Sequence, residues 1–358
     1  MSSPCIVFTG GGTLGHLFAG MAVAEALREI APDSDIHFVG RGSANEGQHV
    51  TSAGYQYHCV PCHPWPRRLW NAPRFLTANL RGFAIARRLL DRLGADVVVG
   101  LGGYSSAPVA RAAVSRQIPL VLLEQNAVPG RVTRWLSRHA SCVCTSFAAS
   151  GLRCRRIFQT GNPVRSDFAG HRLAVPREKL LVITGGSLGA AALNAAVPQA
   201  LGYLKRLVDG WRIVHQAGER ELHSTIERYR RCAIAAEVTA FADLASLLPR
   251  AGLAVCRAGG STIAELQVSG TPAILCPYPH ASDDHQRHNA AALGDACRVV
   301  EQTPPGFAER LADELALALS DERLRAEMSR AMIRRSRPGA ARDVASLIER
   351  ENFALTTH

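Results

Sequence analysis

The run Thr9-Gly10-Gly11-Gly12-Thr13-Leu14-Gly15 places a glycine-rich turn between a short apolar stretch and an Ala/Leu-rich segment of helical period. A near copy, Thr184-Gly185-Gly186-Ser187-Leu188-Gly189, stands in the same relation to another apolar stretch in the second half of the chain. Such a turn lets backbone N–H groups approach a phosphate, and the helix it opens adds about half a positive charge at its N-terminus. One Gly-x-Gly-x-x-Gly spacing, here Gly10 to Gly15, is a weak sign of a dinucleotide site. Two such loops predict an α/β chain of two Rossmann-like domains. Their parallel sheets are expected to face each other across a cleft, each with its loop at the carboxyl end of its first strand.

The rest of the sequence fits that plan. Strands are expected at Cys5–Thr9, Ile36–Val39, Val97–Leu101, Leu120–Leu123 and Cys142–Thr145, then at Leu180–Thr184, Trp211–Gln216, Leu253–Cys256 and Ala273–Cys276. These runs are continuously apolar rather than alternating, as suits strands covered on both faces. With 358 residues, 47% of them hydrophobic, the chain exceeds what one core usually holds. The polar, Gly/Pro-bearing stretch Gly161–Pro176 is the expected linker, giving domains at 1–165 and 166–339. A last periodic helix, about Ala340–Glu351, lies in the tail 340–358.

No run of eighteen apolar residues exists, so no segment is expected to span a bilayer. The start, Met1-Ser2-Ser3-Pro4-Cys5, lacks the basic-then-apolar order of an export signal, which makes the cytoplasm the default address. The ten Cys are then expected to be reduced, with Cys142, Cys144, Cys256 and Cys276 as small core residues. Cys59-Val60-Pro61-Cys62-His63 matches the haem-attachment pattern, but neither export nor a haem pocket accompanies it, and no second pair follows to complete a zinc site.

Charge is uneven. Residues 1–165 carry 18 Arg against 8 acidic side chains, a balance of +10, whereas the remainder is close to neutral at +1. The first half therefore calls for an anionic partner: nucleic acid, anionic lipid or a diphosphate-bearing substrate.

His16 follows the first loop directly, where the second has Ala190. The dipole at a helix start disfavours the charged imidazole, so this residue is a candidate proton acceptor. The second strand ends Phe38-Val39-Gly40-Arg41, without the acidic residue of a NAD site; Arg41 suits NADP at best. Tyr104, in Gly102-Gly103-Tyr104-Ser105, and Asn126, in Glu124-Gln125-Asn126, lie at strand ends where α/β sites form. A further turn, Arg257-Ala258-Gly259-Gly260-Ser261-Thr262, leads from a strand into a helix. Ser261 or Thr262 is expected to cap that helix, and its amides to bind an anion. Glu265, a turn further on, is placed to bridge ribose hydroxyls or to serve only as a surface or capping residue. Asp284, His285 and Gln286 suit sugar hydroxyls; metal ligation by His280, Asp284, His285 and His288 has no support beyond residue type. From Trp65 to Leu90, Trp65, Arg67, Arg68, Trp70, Arg74 and Phe75 compose an interfacial membrane patch or an ordinary helix with a solvated Arg face. Pro66 and Pro73 limit the continuous helix to the part after Arg74.

Taken together, these segments resemble the MurG family, the glycosyltransferases that convert lipid I to lipid II in peptidoglycan synthesis. The resemblance covers nearly the whole chain and rests on seven segments in order. They are Gly11-Gly12-Thr13-Leu14-Gly15-His16, Gly102-Gly103-Tyr104, Glu124-Gln125-Asn126, Gly161-Asn162-Pro163-Val164-Arg165, Gly185-Gly186-Ser187-Leu188-Gly189-Ala190, Arg257 through Glu265, and Asp283-Asp284-His285-Gln286 with Asn289. It implies a GT-B fold, an acceptor domain first and a UDP-GlcNAc domain second, with the last helix crossing back to the first. Inversion at the anomeric carbon and membrane association through a basic, aromatic patch are implied as well.

Carried over by position, His16 resembles the base that takes the proton of the acceptor's 4-hydroxyl, with Gly12, Thr13, Gly15, Tyr104 and Asn126 around the acceptor; Thr13, Gly15 and Asn126 also border the donor. Arg165, Ser187, Gly189, Arg257 and the amides at Gly260, Ser261 and Thr262 would meet the UDP diphosphate. Glu265 would hold the ribose, and Asp284, His285 and Gln286 the GlcNAc hydroxyls. The implied partners are UDP-GlcNAc, lipid I and an anionic membrane surface on the cytoplasmic side, without nucleic acid, metal or cofactor. The chain departs from the family pattern at Leu14, where a small residue is usual, and at Ala19, near which Pro is usual. A related GT-B enzyme with another acceptor and a UDP-GlcNAc 2-epimerase stay open, followed by an NADP oxidoreductase and a non-enzymatic binding protein.

Overall fold

The computed structural model describes residues 3–11, 14–66, 70, 72–148, 150–169, 177–186, 189–303 and 305–356. The chain divides into two compact units, Met1–Arg165 with Pro338–His358, and Ser166–Arg337.

In the first unit the described strands are β1 (Cys5–Thr9), β2 (Asp35–Gly40), β3 (Gln56–Cys59), β4 (Val97–Gly100), β5 (Leu120–Glu124), β6 (Cys142–Thr145) and β7 (Ile157–Phe158). They form one parallel sheet in the order β3-β2-β1-β4-β5-β6-β7. Alternate residues of β1 serve opposite faces. Ile6 and Phe8 join a core with Leu17, Val23 and Leu27 of the helix Leu14–Ile30 and with Val344, Leu347 and Ile348 of the helix Ala340–Thr356. Cys5 and Val7 join another with Ala86, Leu89 and Leu90 of the helix Ala72–Leu93 and Val109 of the helix Ala107–Ser115. Burial on both sides is why the strand reads as an unbroken apolar run. The C-terminal helix is thus part of this unit, and Arg156, just before β7, pairs with its Glu351.

The second unit contains β8 (Glu178–Thr184), β9 (Arg212–Gln216), β10 (Glu237–Thr239), β11 (Ala251–Cys256), β12 (Ala273–Leu275) and β13 (Cys297–Val299). Its parallel sheet runs β10-β9-β8-β11-β12-β13. Leu181 and Ile183 of β8 pack with Leu193, Val197 and Leu201 of the helix Ala191–Tyr203 and with Leu311 and Leu315 of the helix Phe307–Ser320.

The nine expected strands are present, with ends shifted by at most two residues. Four short strands were not anticipated: β3, β7, β10 and β13. The helix expected only after Arg74 begins at Ala72, with Pro73 inside its first turn. There its missing N–H has no intrahelical partner to lose and its fixed φ suits the helix. Cys142, Cys144, Cys256 and Cys276 are buried core residues, and all ten cysteines are free thiols.

Candidate active site

In each sheet the strand order reverses beside the first strand: β1 lies between β2 and β4, and β8 between β9 and β11. Crossover helices leave on opposite faces at such a point, so a crevice opens beyond the strands' carboxyl ends. The glycine loops follow β1 and β8, and Gly102-Gly103-Tyr104 and Arg257-Ala258-Gly259 follow β4 and β11. The loops bearing Gly11, Tyr104, Gly189 and Arg257 therefore lie at the switch points by topology, whereas Asn126 follows β5 and Asp284, His285 and Gln286 follow β12.

In the first unit the loops after β1 and β4 touch backbone to backbone. A methyl added at Gly103, whose φ is +73°, would come within 2.7 Å of the Gly11 carbonyl oxygen. His16 sits in the first turn of the helix Leu14–Ile30 and is half-buried. A methyl at Gly102 would lie 3.5 Å from His16 Cδ2 and 3.6 Å from Nε2, so glycine brings the loop's backbone alongside the imidazole. Arg41 Nη1 donates to the Tyr104 hydroxyl at 2.8 Å, so the residue considered for NADP is engaged with a neighbouring loop.

Two carboxylates missed in the sequence also serve these loops. Glu46 is buried, accepts from the Tyr57 hydroxyl at 3.2 Å, and stands where a Gly11 methyl would be only 2.9 Å from its Oε1. Burial holds the Tyr57 hydroxyl above its usual pKa, which keeps it a donor. Glu124 Oε1 accepts from Asn126 N at 3.0 Å and Nδ2 at 3.3 Å, and Oε2 from Gly130 N at 2.9 Å. That carboxylate shapes the turn presenting Asn126. Thr9 Oγ1, Ser105 Oγ and Gln125 Nε2 lie at or just beyond these strand ends, buried and without a hydrogen-bond partner. Buried polar groups normally have partners, so this end of the sheet suits a polar ligand.

Leu14, the departure from the family pattern, packs against the core below the loop, and Ala19 is buried. Arg165, expected at the diphosphate, belongs to the first unit, its guanidinium 5.1 Å from the ring centroid of Phe18. Gly12, Thr13 and Ser187 lie outside the described residues, as do Arg67 and Arg68.

In the second unit, Gly186 N donates to Thr184 Oγ1 at 3.1 Å and Gln216 Nε2 donates to the Gly186 carbonyl at 3.0 Å. Gly189, at φ +74°, passes so close to β9's end that a methyl there would meet the Ala217 carbonyl at 2.1 Å. The approach is held from beneath. Asn194 Nδ2 donates to the same carbonyl at 2.9 Å, its Oδ1 lies 3.0 Å from His215 Nε2, and His215 Nδ1 lies 2.9 Å from the Tyr229 hydroxyl. Burial pulls the His215 pKa down to about 3, so the ring is neutral.

Arg257 reaches back to the loop: Nη1 donates to the Gly189 carbonyl at 3.4 Å and the guanidinium lies 4.5 Å above the Tyr278 ring. Its Nε is buried without a hydrogen-bond partner. The helix Gly260–Ser269 has Gly259 at its N-cap and no side-chain cap. The expectation that Ser261 or Thr262 caps it is corrected: both lie inside the first turn. With no cap side chain over them, the amides of Gly260, Ser261 and Thr262 suit an anion. Glu265 is half-buried in the next turn.

After β12, Gln286 Oε1 accepts from Tyr278 N at 2.9 Å, and Asn289 Nδ2 donates to the Ala258 carbonyl at 3.0 Å, which ties this loop to the one after β11. His285 Nδ1 lies 2.8 Å from the Ser282 carbonyl, and Asp284 pairs with Arg287 at 3.3 Å. Asp283 and Asp284 both have φ of +52°. Two successive non-glycine residues in the left-handed region carry backbone strain of a kind that gathers at functional sites.

The aromatic segment is on the surface. Trp65 is 68% and Trp70 70% exposed, and Leu76 and Leu80 project from the helix Ala72–Leu93 one turn apart. Trp65 packs edge-on to Phe75 with centroids 5.2 Å apart, and Arg74 is exposed. Among the described residues no helix is long and apolar enough to cross a membrane.

Two Rossmann-like units, with a glycine loop and an uncapped helix start at the switch point of the second, have the architecture of the GT-B fold. Residues 6–145 match the glycosyltransferase family 28 N-terminal domain and residues 180–344 its C-terminal domain, and these family matches make the chain a glycosyltransferase. A protein of Anaeromyxobacter sp. (strain Fw109-5), named UDP-N-acetylglucosamine--N-acetylmuramyl-(pentapeptide) pyrophosphoryl-undecaprenol N-acetylglucosamine transferase, is 36% identical over 96% of this chain and 92% of its own length. The same name is carried by a Geobacter metallireducens protein that is 37% identical over 84% of this chain and 86% of its own. The crystal structure of Acinetobacter baumannii MurG superposes with a TM-score of 0.75 at 28% identity, covering 97% of this chain and 99% of the other. The chain belongs to the MurG family of glycosyltransferases.

Proposed function

We propose that the protein transfers GlcNAc from UDP-GlcNAc to the 4-hydroxyl of the MurNAc of lipid I, forming lipid II with inversion at the anomeric carbon. The observation that carries this reading is Arg257 beside the uncapped start of the helix Gly260–Ser269. A pyrophosphate leaving group gathers negative charge as its bond to the sugar breaks, and oriented amides with an arginine stabilise that charge without reorganising. Gly189 would add to this site, Glu265 would hold the ribose, and Asp284, His285 and Gln286 the sugar hydroxyls.

In the first unit His16 acts as general base. The acceptor oxygen attacks the anomeric carbon, its proton passes to the imidazole, and the sugar–phosphate bond breaks with its electron pair leaving on UDP. Gly15, Tyr104 and Asn126 would position the acceptor. The exposed Trp65, Trp70, Leu76 and Leu80, with Arg74 beside them, support peripheral attachment to the cytoplasmic face of an anionic membrane. Insertion of aromatic and aliphatic side chains with nearby Arg suits that surface.

Release of UDP is the test, measured with lipid I, with other lipid-linked sugars and with no acceptor. Release that requires lipid I and matches lipid II formation is expected. Equal or faster release with another lipid-linked sugar would redirect the acceptor assignment, and release without any acceptor would contradict transfer.

A further inference from the structure

At the amino ends of the first sheet, away from the glycine loops, the strands gather side chains that sugar transfer does not use. Cys5 opens β1, Asp35 opens β2, and the parallel register pairs them directly. His37, two residues along β2, falls on the same face because side chains alternate along a strand. Ligand-type atoms of Cys5, Asp35 and His37 consequently lie within 4.8 Å of one another, the one such group of three among the described residues. Neither Cys59–His63 nor the His280–His288 stretch, both considered from sequence, brings together such a group among those residues. Cys5 is buried, His37 has only 2% of its side chain exposed, and Asp35 at 55% opens the group to solvent.

The imidazole is held at both nitrogens. His37 Nε2 lies 2.9 Å from Asp35 Oδ2, and Nδ1 lies 3.1 Å from His58 Nε2. Cys5 N donates to Asp96 Oδ2 at 2.8 Å, so a second carboxylate stands beside the thiol. A buried thiol and imidazole between two carboxylates form an anionic recess.

We propose that Cys5, Asp35 and His37 bind a divalent metal ion of the zinc class, through Sγ, a carboxylate oxygen and Nε2, with water in the fourth position. Zinc bonds of about 2.0 to 2.3 Å in tetrahedral array put ligand atoms roughly 3.3 to 3.8 Å apart. The ligand atoms, within 4.8 Å of one another, would draw together by up to roughly 1 Å on binding. Thiolate with imidazole selects zinc-like ions over magnesium or calcium. On binding, the Cys5 thiol releases its proton to solvent. His37 then carries its proton on Nδ1 and donates it to His58 Nε2, the outer contact that metal-binding histidines commonly make. The metal takes the place of the proton between His37 Nε2 and Asp35. Four residues of β1, Ile6 to Thr9, at about 3.3 Å each, separate Cys5 from the glycine loop. The ion would clamp β1 to β2 and take no part in transfer.

The full chain, stripped with chelator under reducing conditions, is titrated with ZnCl2 and separately with CoCl2. A single equivalent should bind, and the cobalt form should show thiolate-to-metal charge-transfer absorption. Cys5→Ser should abolish that absorption, and Asp35→Asn and His58→Ala should each weaken binding by about 10- to 100-fold. The double variant Cys59→Ser/Cys62→Ser should bind like the wild type. Absence of stoichiometric binding by the wild type would overturn the proposal, as would binding that survives Asp35→Asn unchanged and vanishes in the Cys59/Cys62 variant. If Cys5→Ser does not fold, the wild-type cobalt spectrum and the solvent-facing Asp35→Asn variant decide the matter.

Discussion

Arg257 lies over the ring of Tyr278, 4.5 Å from its centroid, and from there donates to the carbonyl of Gly189. One guanidinium thus joins the loops after β8, β11 and β12. Burial lowers its pKa, but an arginine stays charged at any physiological pH. Arg257→Ala is expected to raise the KM for UDP-GlcNAc by roughly 10- to 100-fold, the range expected for losing a charge-assisted hydrogen bond. Arg257→Lys should recover only part of this, because a lysine lacks the planar stacking face. Steady-state kinetics with varied donor check both, and an unchanged KM in Arg257→Ala would remove it from the donor site.

The exposed apolar group on the first unit gives a second prediction. Serine at Trp65, Trp70, Leu76 and Leu80 together should release the protein from vesicles containing anionic lipid. The melting temperature should hardly change, since these side chains are solvent-facing. Co-sedimentation measures the first and thermal unfolding the second. Vesicle binding equal to wild type would contradict the membrane patch.

His215 supplies a pH prediction. Its folded-state pKa of about 3 lies below the usual 6.5, so the unfolded chain binds the extra proton more readily between those values. Stability attributable to this group is complete above about pH 6.5 and falls as pH drops towards 3, by up to about 1.4 kcal/mol per pH unit. Replacing His215 with Gln should flatten that part of the acid limb, read as denaturant midpoints across pH. An unaltered slope would mean the ring is not buried neutral in solution.

How much of this was legible from the chain depended on where each signal resides. β1 and β6 match their expected bounds because both faces are buried and the sequence is apolar throughout. β3 (Gln-Tyr-His-Cys) and β10 (Glu-Val-Thr) lie at sheet edges, are partly exposed, and carry polar residues that read as loop. β7 and β13 are too short to show a period. The glycine loops were visible because close backbone approach demands glycine, as at Gly103 and Gly189. Their supports were not: Glu46, Glu124 and the Asn194–His215–Tyr229 chain are ordinary residue types until topology places them. Gly259 rather than Ser261 or Thr262 is the N-cap because the backbone is still extended there, at φ −71° and ψ 143°, and the helix begins at the next residue. Cys5 and Asp35 met through strand register, which no local spacing displays.

The account rests most heavily on His16 as the base, and the direct test is His16→Ala assayed in parallel for turnover and for UDP binding. Turnover with lipid I is predicted to fall by about 100-fold or more while the dissociation constant for UDP stays close to wild type. Wild-type turnover in this variant would contradict the account.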